Sequence, residues 1–170
     1  MGVSVPAAFA VILMAALVSF GMLYVSSENA YSMVHDATED YNRMTIKTKT
    51  SELELAGYNY TTQPNVTVYD ITFNVTNVGS TLSPSRWTFI YDGVVTNTAV
   101  LISSSKIYLL PGEWIGVTVQ NLQKDATQVH SLVISTEVGC GLKIKWKWVG
   151  NTTNGSPQVV SSAWYCPVEG

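Results

Sequence analysis

The sequence predicts an α+β protein in which a long N-terminal membrane-spanning helix precedes an all-β, Ig-like antiparallel sandwich. Three observations predict this. Residues 1–27 contain no charged side chain, residues 28–45 keep a helical period and turn acidic, and the rest alternates apolar with polar residues. Only 12% of the 170 residues are charged, about half the usual share. We therefore expect a helical region over 1–45 and a sandwich domain over 46–170.

The first element is an uncharged, mostly apolar run from Val3 to Val25. As a helix it spans roughly 34 Å, which is enough for a bilayer core of about 30 Å. A cleaved signal peptide has a basic start and a shorter apolar run. The pattern thus favours a permanent membrane anchor over a cleaved signal or a buried helix of a soluble protein.

The helical period continues over residues 28–45 with a narrow apolar stripe, whose members recur at spacings of four and three: Ala30, Val34, Ala37, Tyr41 and Met44. The acidic residues mostly lie off this stripe. Such a stripe suits contact with one neighbour, either the protein's own sandwich or a partner helix. His35 is expected to face solvent.

Strict alternation then predicts strands, and it places three groups of apolar residues inward: Tyr69, Ile71, Phe73 and Val75, then Trp87, Phe89 and Tyr91, then Ile115, Val117 and Val119. The stretch "KIYLLPGEWIGVTVQ" predicts two strands joined by a type II turn at Pro111-Gly112. In all, seven to nine short strands over about 120 residues predict an antiparallel sandwich.

The stretch "LKIKWKW" places Lys143, Lys145 and Lys147 on one face of a further strand. Three ammonium groups in a row on an acidic protein allow two interpretations. They solvate an edge strand and prevent sheet-to-sheet aggregation, or they bind an acidic glycan or protein surface. The first is the more common role of such residues.

Cys140 and Cys166, the two cysteines of the chain, flank the last predicted hairpin. They are too few for a metal site without a nearby histidine, and His130 is an isolated candidate ligand. A structural disulfide is the interpretation that fits best, and closing this loop stabilises by about 3 kcal/mol. A disulfide requires an oxidising compartment.

Five sequons support an exterior location of the sandwich, at Asn59, Asn65, Asn74, Asn151 and Asn154. Asn74 falls on the polar face of its predicted strand, and Asn151 and Asn154 fall in a predicted loop. We therefore expect a single-pass protein with its N-terminus inside the cell and its C-terminal domain outside.

Enzymatic chemistry is not indicated. No arrangement of residues suggests a Ser-His-Asp site or a paired-carboxylate site, and no glycine-rich phosphate loop precedes a helix. We expect no catalytic residues, no metal and no cofactor. The net charge of −3 also argues against binding to nucleic acid.

The order of "MGVSVPAAFAVILMAALVSFG", "NAYSMVHDATEDYN", "FNVTNVGST" and "YLLPGEW" resembles the accessory protein F family of the archaellum, the archaeal flagellum. The resemblance implies a motility component whose external sandwich contacts the S-layer protein. It also implies a partnership with the related archaellum protein G, as a stationary anchor of the motor. Self-association is a further expected property.

An alternative of a different class is a filament subunit, a pilin or an archaellin. Such subunits also join an apolar N-terminal helix to an external sandwich. They are made with a short basic leader, and only "MG" without Lys or Arg precedes the apolar run here. The sequence therefore favours the anchor protein over the filament subunit.

Overall fold

The computed structural model describes residues 4–62, 66–96, 100–103 and 106–166. Its internal contacts divide the chain into two units between Thr45 and Ile46. A single helix, α1, runs over Ser4–Thr50 and so ends beyond the predicted boundary at residue 45. Lys47 and Lys49 lie in its last turn, where cations interact favourably with the helix dipole.

The first unit consists of the N-terminal part of α1. This helix is long and apolar enough to cross a membrane, and its most apolar window is 0% buried. Between Val5 and Val25 the large apolar side chains are 52–77% exposed. The alternative of a helix buried in a soluble core is therefore wrong.

The second unit contains nine strands among the described residues, and one short 3₁₀ helix at Pro84–Arg86. The strands are β1 Leu53–Thr62, β2 Val68–Asn77, β3 Thr88–Tyr91, β4 Val94–Val95, β5 Val100–Ile102, β6 Trp114–Gln123, β7 Val129–Ser135, β8 Gly141–Val149 and β9 Ser156–Tyr165.

The strands form two antiparallel sheets. The four-stranded sheet has the order β1-β2-β6-β5, and the five-stranded sheet has the order β4-β3-β7-β8-β9. The first order corresponds to ABED of an immunoglobulin sandwich, and β3-β7-β8 corresponds to CFG. The predicted Ig-like sandwich is confirmed, with β4 and β9 added at the two edges of the second sheet.

The core lies between the two sheets and is built by the predicted inward residues. Ile71, Phe73 and Val75 of β2 are fully buried, as is Trp146 of β8. The rings of Phe73 and Trp146 pack with centroids 5.0 Å apart. The indole Nε1 of Trp146 donates a hydrogen bond to Tyr69 Oη at 3.1 Å, so the buried indole keeps a polar partner.

Two strand predictions are wrong. The stretch "KIYLL" is not a strand, because Leu109 forms only an isolated bridge with Leu82, while β5 occupies the place beside β6. The turn at Pro111-Gly112 does exist, and Gly112 has the positive φ of 83° that a type II turn requires. The lysine strand, β8, is not an edge strand because β9 pairs with its outer side.

Candidate functional site

The motifs "FNVTNVGST" and "YLLPGEW" meet at the buried side chain of Asn77. Its Nδ2 donates hydrogen bonds to the carbonyl oxygens of Ser80 and Leu109, both at 2.8 Å. Its Oδ1 accepts a hydrogen bond from the Gly79 amide at 3.0 Å. Its backbone oxygen accepts one from the Gly112 amide at 2.7 Å. Asn77 therefore fastens one loop to the other, a structural role rather than a ligand site.

The end of α1 is docked against the sandwich within the second unit. The Ser80 amide donates to the Thr50 carbonyl at 2.8 Å, and the hydroxyls of Ser51 and Ser80 lie 2.9 Å apart. Lys47 Nζ lies 3.3 Å from Glu137 Oε1, which also accepts a hydrogen bond from a backbone amide. These contacts fix the last helical turn to the domain that follows.

The predicted disulfide is present. Cys140 and Cys166 are bonded with an S–S distance of 2.01 Å and tie the beginning of β8 to the end of β9. Both sulfur atoms lie 3.7 Å from the carbonyl oxygen of Thr48. The disulfide therefore closes the last hairpin directly beside the docked end of α1. The spacing of the cysteines in the sequence does not reveal that they lie near Thr48.

The lysine row lies on the outer face of the five-stranded sheet. Lys143, Lys145 and Lys147 are all exposed, and the residues between them point into the core. Their cross-strand neighbours are uncharged and mostly small: Val129, Ser131 and Val133 on β7, and Gln158, Ser161 and Ala163 on β9. Among the described residues, no carboxylate lies within ion-pair distance of the three ammonium groups.

The sequons lie elsewhere on the domain. Asn59 is exposed on β1, opposite Thr72, and Asn74 is half-buried on β2, so both belong to the four-stranded sheet. Asn151 and Asn154 are exposed in the turn between β8 and β9. Asn65 lies outside the described residues. None of the four described sequons lies on the outer face with the lysine row.

A buried polar cluster around His130 was not predicted. His130 Nδ1 lies 2.9 Å from Asp92 Oδ2 and 2.7 Å from Tyr91 Oη. Burial, followed by the nearby Asp92 carboxylate, raises the pKa of the Tyr91 phenol well above its usual range. Asp92 and Gly93 form the two-residue turn between β3 and β4, with φ of 47° and 85°. An Asp-Gly pair is a sequence signal for such a tight hairpin, and it could have revealed this turn.

The cluster around His130 holds one histidine and one carboxylate, Asp92. His130 Nε2 is buried and lacks a hydrogen-bond partner in the part of the chain that the structure describes. Over the same residues, no group of three His, Cys, Asp or Glu side chains could hold a metal ion. The cluster is best explained as the fixed end of the β3–β4 hairpin, since the Ser131 amide also donates to Asp92 Oδ1.

Comparison with known proteins supplies the family. The sequence matches the archaeal-type flagellin family over residues 8–146, a range that includes most of α1 and the sandwich through β8 up to Trp146. No curated protein matches the chain significantly. The match agrees with the architecture of an apolar N-terminal helix and a β-sandwich. The chain belongs to the archaeal-type flagellin family.

Proposed function

We propose that this protein is a non-enzymatic, membrane-anchored component of the archaellum motor. In this role α1 stays in the membrane with its N-terminus inside the cell. The sandwich lies outside and holds the motor to the S-layer, together with archaellum protein G. These are the properties that the resemblance to accessory protein F implies.

One observation carries the proposal, the change of character along a single helix. Residues 4–27 of α1 are uncharged and long enough for one bilayer, and four carboxylates follow between Glu28 and Asp40. In the core of a filament, neighbouring helices would surround this acidic segment and bury its charges, which is costly without partners. In a membrane anchor the same segment stands in water.

The exterior location of the sandwich rests on separate observations. The Cys140–Cys166 disulfide persists in an oxidising compartment rather than in the cytosol. The sequons at Asn59, Asn151 and Asn154 are exposed, as glycan attachment requires. Both features support an outward-facing domain.

The lysine row is the face best suited to the S-layer. Since β8 is an internal strand, protection of a sheet edge does not account for Lys143, Lys145 and Lys147. Glycans attached at Asn59 and Asn74 would cover the four-stranded sheet and leave the lysine row accessible. A row of unpaired cations attracts an acidic surface and accelerates association with it.

Co-sedimentation of the full-length, detergent-solubilised protein with isolated S-layer sheets tests this function. Replacing all three lysines of the row with glutamine lowers the formal net charge from −3 to −6. In the proposed complex each lysine forms one exposed ion pair with the S-layer. The variant loses all three pairs, so we expect its binding to the S-layer to be about tenfold weaker. The matched control, Ala56→Glu with Leu101→Glu and Gln120→Glu, also gives −6 but changes only the four-stranded sheet.

Retained binding by the control, with loss in the lysine variant, supports the proposal. Equal loss in both variants would mean that overall charge, not this face, governs binding. No sedimentation of the native protein at any pH would contradict S-layer attachment itself.

A filament subunit is the second candidate function, and the family match favours it. Archaeal-type flagellins are by name the subunits of such filaments, and the match extends over residues 8–146. In that case the protein would be recovered as a major component of sheared filaments.

A further inference from the structure

We propose that the outer face of β8 binds a linear glycan that carries carboxylate groups. The lysine row binds the carboxylates, and Tyr165 of β9 packs against a sugar ring at one end of the row. The proposal deepens the S-layer attachment proposed above by naming the chemistry that this face recognises. It rests on that function only for the exterior location of the sandwich.

Tyr165 lies across β8 at Gly141, the residue with which it pairs in the sheet. A Cβ at residue 141 would lie 2.9 Å from Tyr165 Oη and 3.0 Å from Cζ, so the end of the phenol ring occupies the space of the missing side chain. This space is on the outer face, because the next residue, Leu142, is buried in the core and successive residues of a strand point to opposite faces. Tyr165 is 46% exposed, which leaves part of its ring accessible to a ligand.

The disulfide holds this ring in position. Cys140 directly precedes Gly141 and Cys166 directly follows Tyr165, so the covalent bond joins β8 and β9 at the adjacent pair of residues. A ring that is already fixed in the free protein loses little conformational freedom when a ligand packs against it. The ring is therefore preorganised for binding.

The ring and the lysine row form one straight line. Gly141 and the three lysines occupy alternate positions of β8, so the ring and the ammonium groups lie on the same face. Alternate residues of a strand are about 6.7 Å apart, so the site extends roughly 20 Å from Gly141 to Lys147. The central Lys145 lies between two serines, Ser131 of β7 and Ser161 of β9, whose hydroxyl groups suit a sugar. This shape fits an extended chain better than a compact ligand.

The charge of the row selects an acidic chain. None of the three ammonium groups forms an ion pair with another side chain in the part of the protein that the structure describes. A lysine ammonium is a point charge on a flexible stem, whereas arginine imposes a fixed, forked geometry. Lysines can therefore follow carboxylates whose spacing along a sugar chain differs from the spacing of the strand.

A glycan fits this face better than an acidic protein does. The centres of protein interfaces are enriched in aromatic residues and depleted of charged residues, lysine among them. Here the centre is Lys145, and the aromatic ring of Tyr165 lies at the end. A hydrated sugar chain leaves the ammonium groups in contact with water while its carboxylates pair with them.

Binding of three polymers to the full-length protein, solubilised in a detergent without a sugar headgroup, tests the proposal by calorimetry at one fixed salt concentration. Polygalacturonate is a sugar chain with carboxylates, dextran is an uncharged sugar chain, and polyglutamate is a peptide with carboxylates. We expect polygalacturonate to bind and dextran not to bind. Polyglutamate should bind about fivefold more weakly than polygalacturonate, because it offers no sugar ring to Tyr165.

Two variants isolate the ring. Tyr165→Ala removes it, and Gly141→Ala displaces it with a Cβ while keeping it in the chain. We expect each to weaken polygalacturonate binding about fivefold and to leave polyglutamate binding unchanged. Tyr165→Phe, which keeps the ring, should bind like the wild type. Tyr108→Ala, which removes an exposed tyrosine of the loop between β5 and β6, is the matched control.

Equal affinity for polygalacturonate and polyglutamate, unaffected by Tyr165→Ala, would mean that the face recognises acidic protein, and this would overturn the proposal. Binding of dextran as tight as that of polygalacturonate would overturn it as well. No binding of polygalacturonate by a protein that still sediments with S-layer sheets would overturn the glycan site and leave S-layer attachment standing. Binding of polygalacturonate that depends on Tyr165, without sedimentation, would support the site and contradict S-layer attachment.

Discussion

Gly79 lies directly against the carbonyl oxygen of Thr50, the last residue of α1. A Cβ at residue 79 would overlap that oxygen and would lie 2.9 Å from the Ser51 carbonyl carbon. The loop after β2 can approach the end of the helix this closely because it has no side chain at this point. The contact explains the glycine in the "NVGST" motif.

We expect Gly79→Ala to destabilise the sandwich by about 2 kcal/mol, because the overlap is with backbone that cannot rotate away. Gly57→Ala is the matched control, since nothing lies within 4 Å of its Cβ position. Guanidinium unfolding of the full-length protein, followed by tryptophan fluorescence, measures both. Equal stability of the two variants would contradict the close packing at Thr50.

Asn77→Asp removes the two hydrogen bonds that Nδ2 donates and places a carboxylate against two carbonyl oxygens. Because Asn77 is fully buried, we expect a loss of about 3 kcal/mol. The exposed Asn154 gives the control, Asn154→Asp, with the same change of charge. A small effect at Asn77 would mean that the two loops are held together by other contacts.

Replacing Cys140 and Cys166 with serine opens the β8–β9 loop, whose ends are 26 residues apart. We expect a loss of about 3 kcal/mol in the free energy of unfolding, mainly because the unfolded chain becomes less constrained. Reduced wild-type protein should unfold at the same denaturant concentration as the double variant. A midpoint unchanged by reduction would contradict a stabilising role.

The sandwich should lose stability as the pH rises above 10.0, the ordinary pKa of tyrosine. Burial raises the pKa of Tyr91, so the folded protein keeps the phenol proton where the unfolded chain releases it. Above that pH the unfolded chain binds fewer protons than the folded protein, so the free energy of unfolding falls as the pH rises. Below that pH both states keep the phenol proton, and Tyr91 contributes no pH dependence.

Tyr91→Phe should flatten this alkaline decline, measured as unfolding free energy between about pH 8 and pH 11. The control is Tyr60→Phe, which changes an exposed tyrosine of β1. Because burial also raises the pKa of Tyr69, part of the decline should remain. An identical slope in Tyr91→Phe and wild-type protein would contradict the assignment.

Sequence alternation was sufficient to predict β2, β8 and the last hairpin, but it missed β1 and predicted a strand at "KIYLL" that does not form. β2 and β8 alternate without fault, so their buried faces were predictable residue by residue. β1 was not predicted because a bulge at Ala56 breaks its period and its second half is mostly exposed. The stretch "KIYLL" is an apolar run without alternation, and only Leu109 is buried there, against Leu82.

Long-range relationships could not be predicted from one sequence. The proximity of Thr48 to the disulfide depends on the docking of the last helical turn. This contact leaves no local pattern, because 92 and 118 residues separate Thr48 from Cys140 and Cys166.

The most direct test of the membrane-anchor proposal is the location of the intact protein after filaments are sheared from cells. Membranes and filaments are separated, the membranes are washed with alkaline carbonate, and both fractions are probed for the chain. The proposal predicts that the protein stays in the washed membranes and is absent from the filaments. Recovery as a stoichiometric component of the filaments would contradict it.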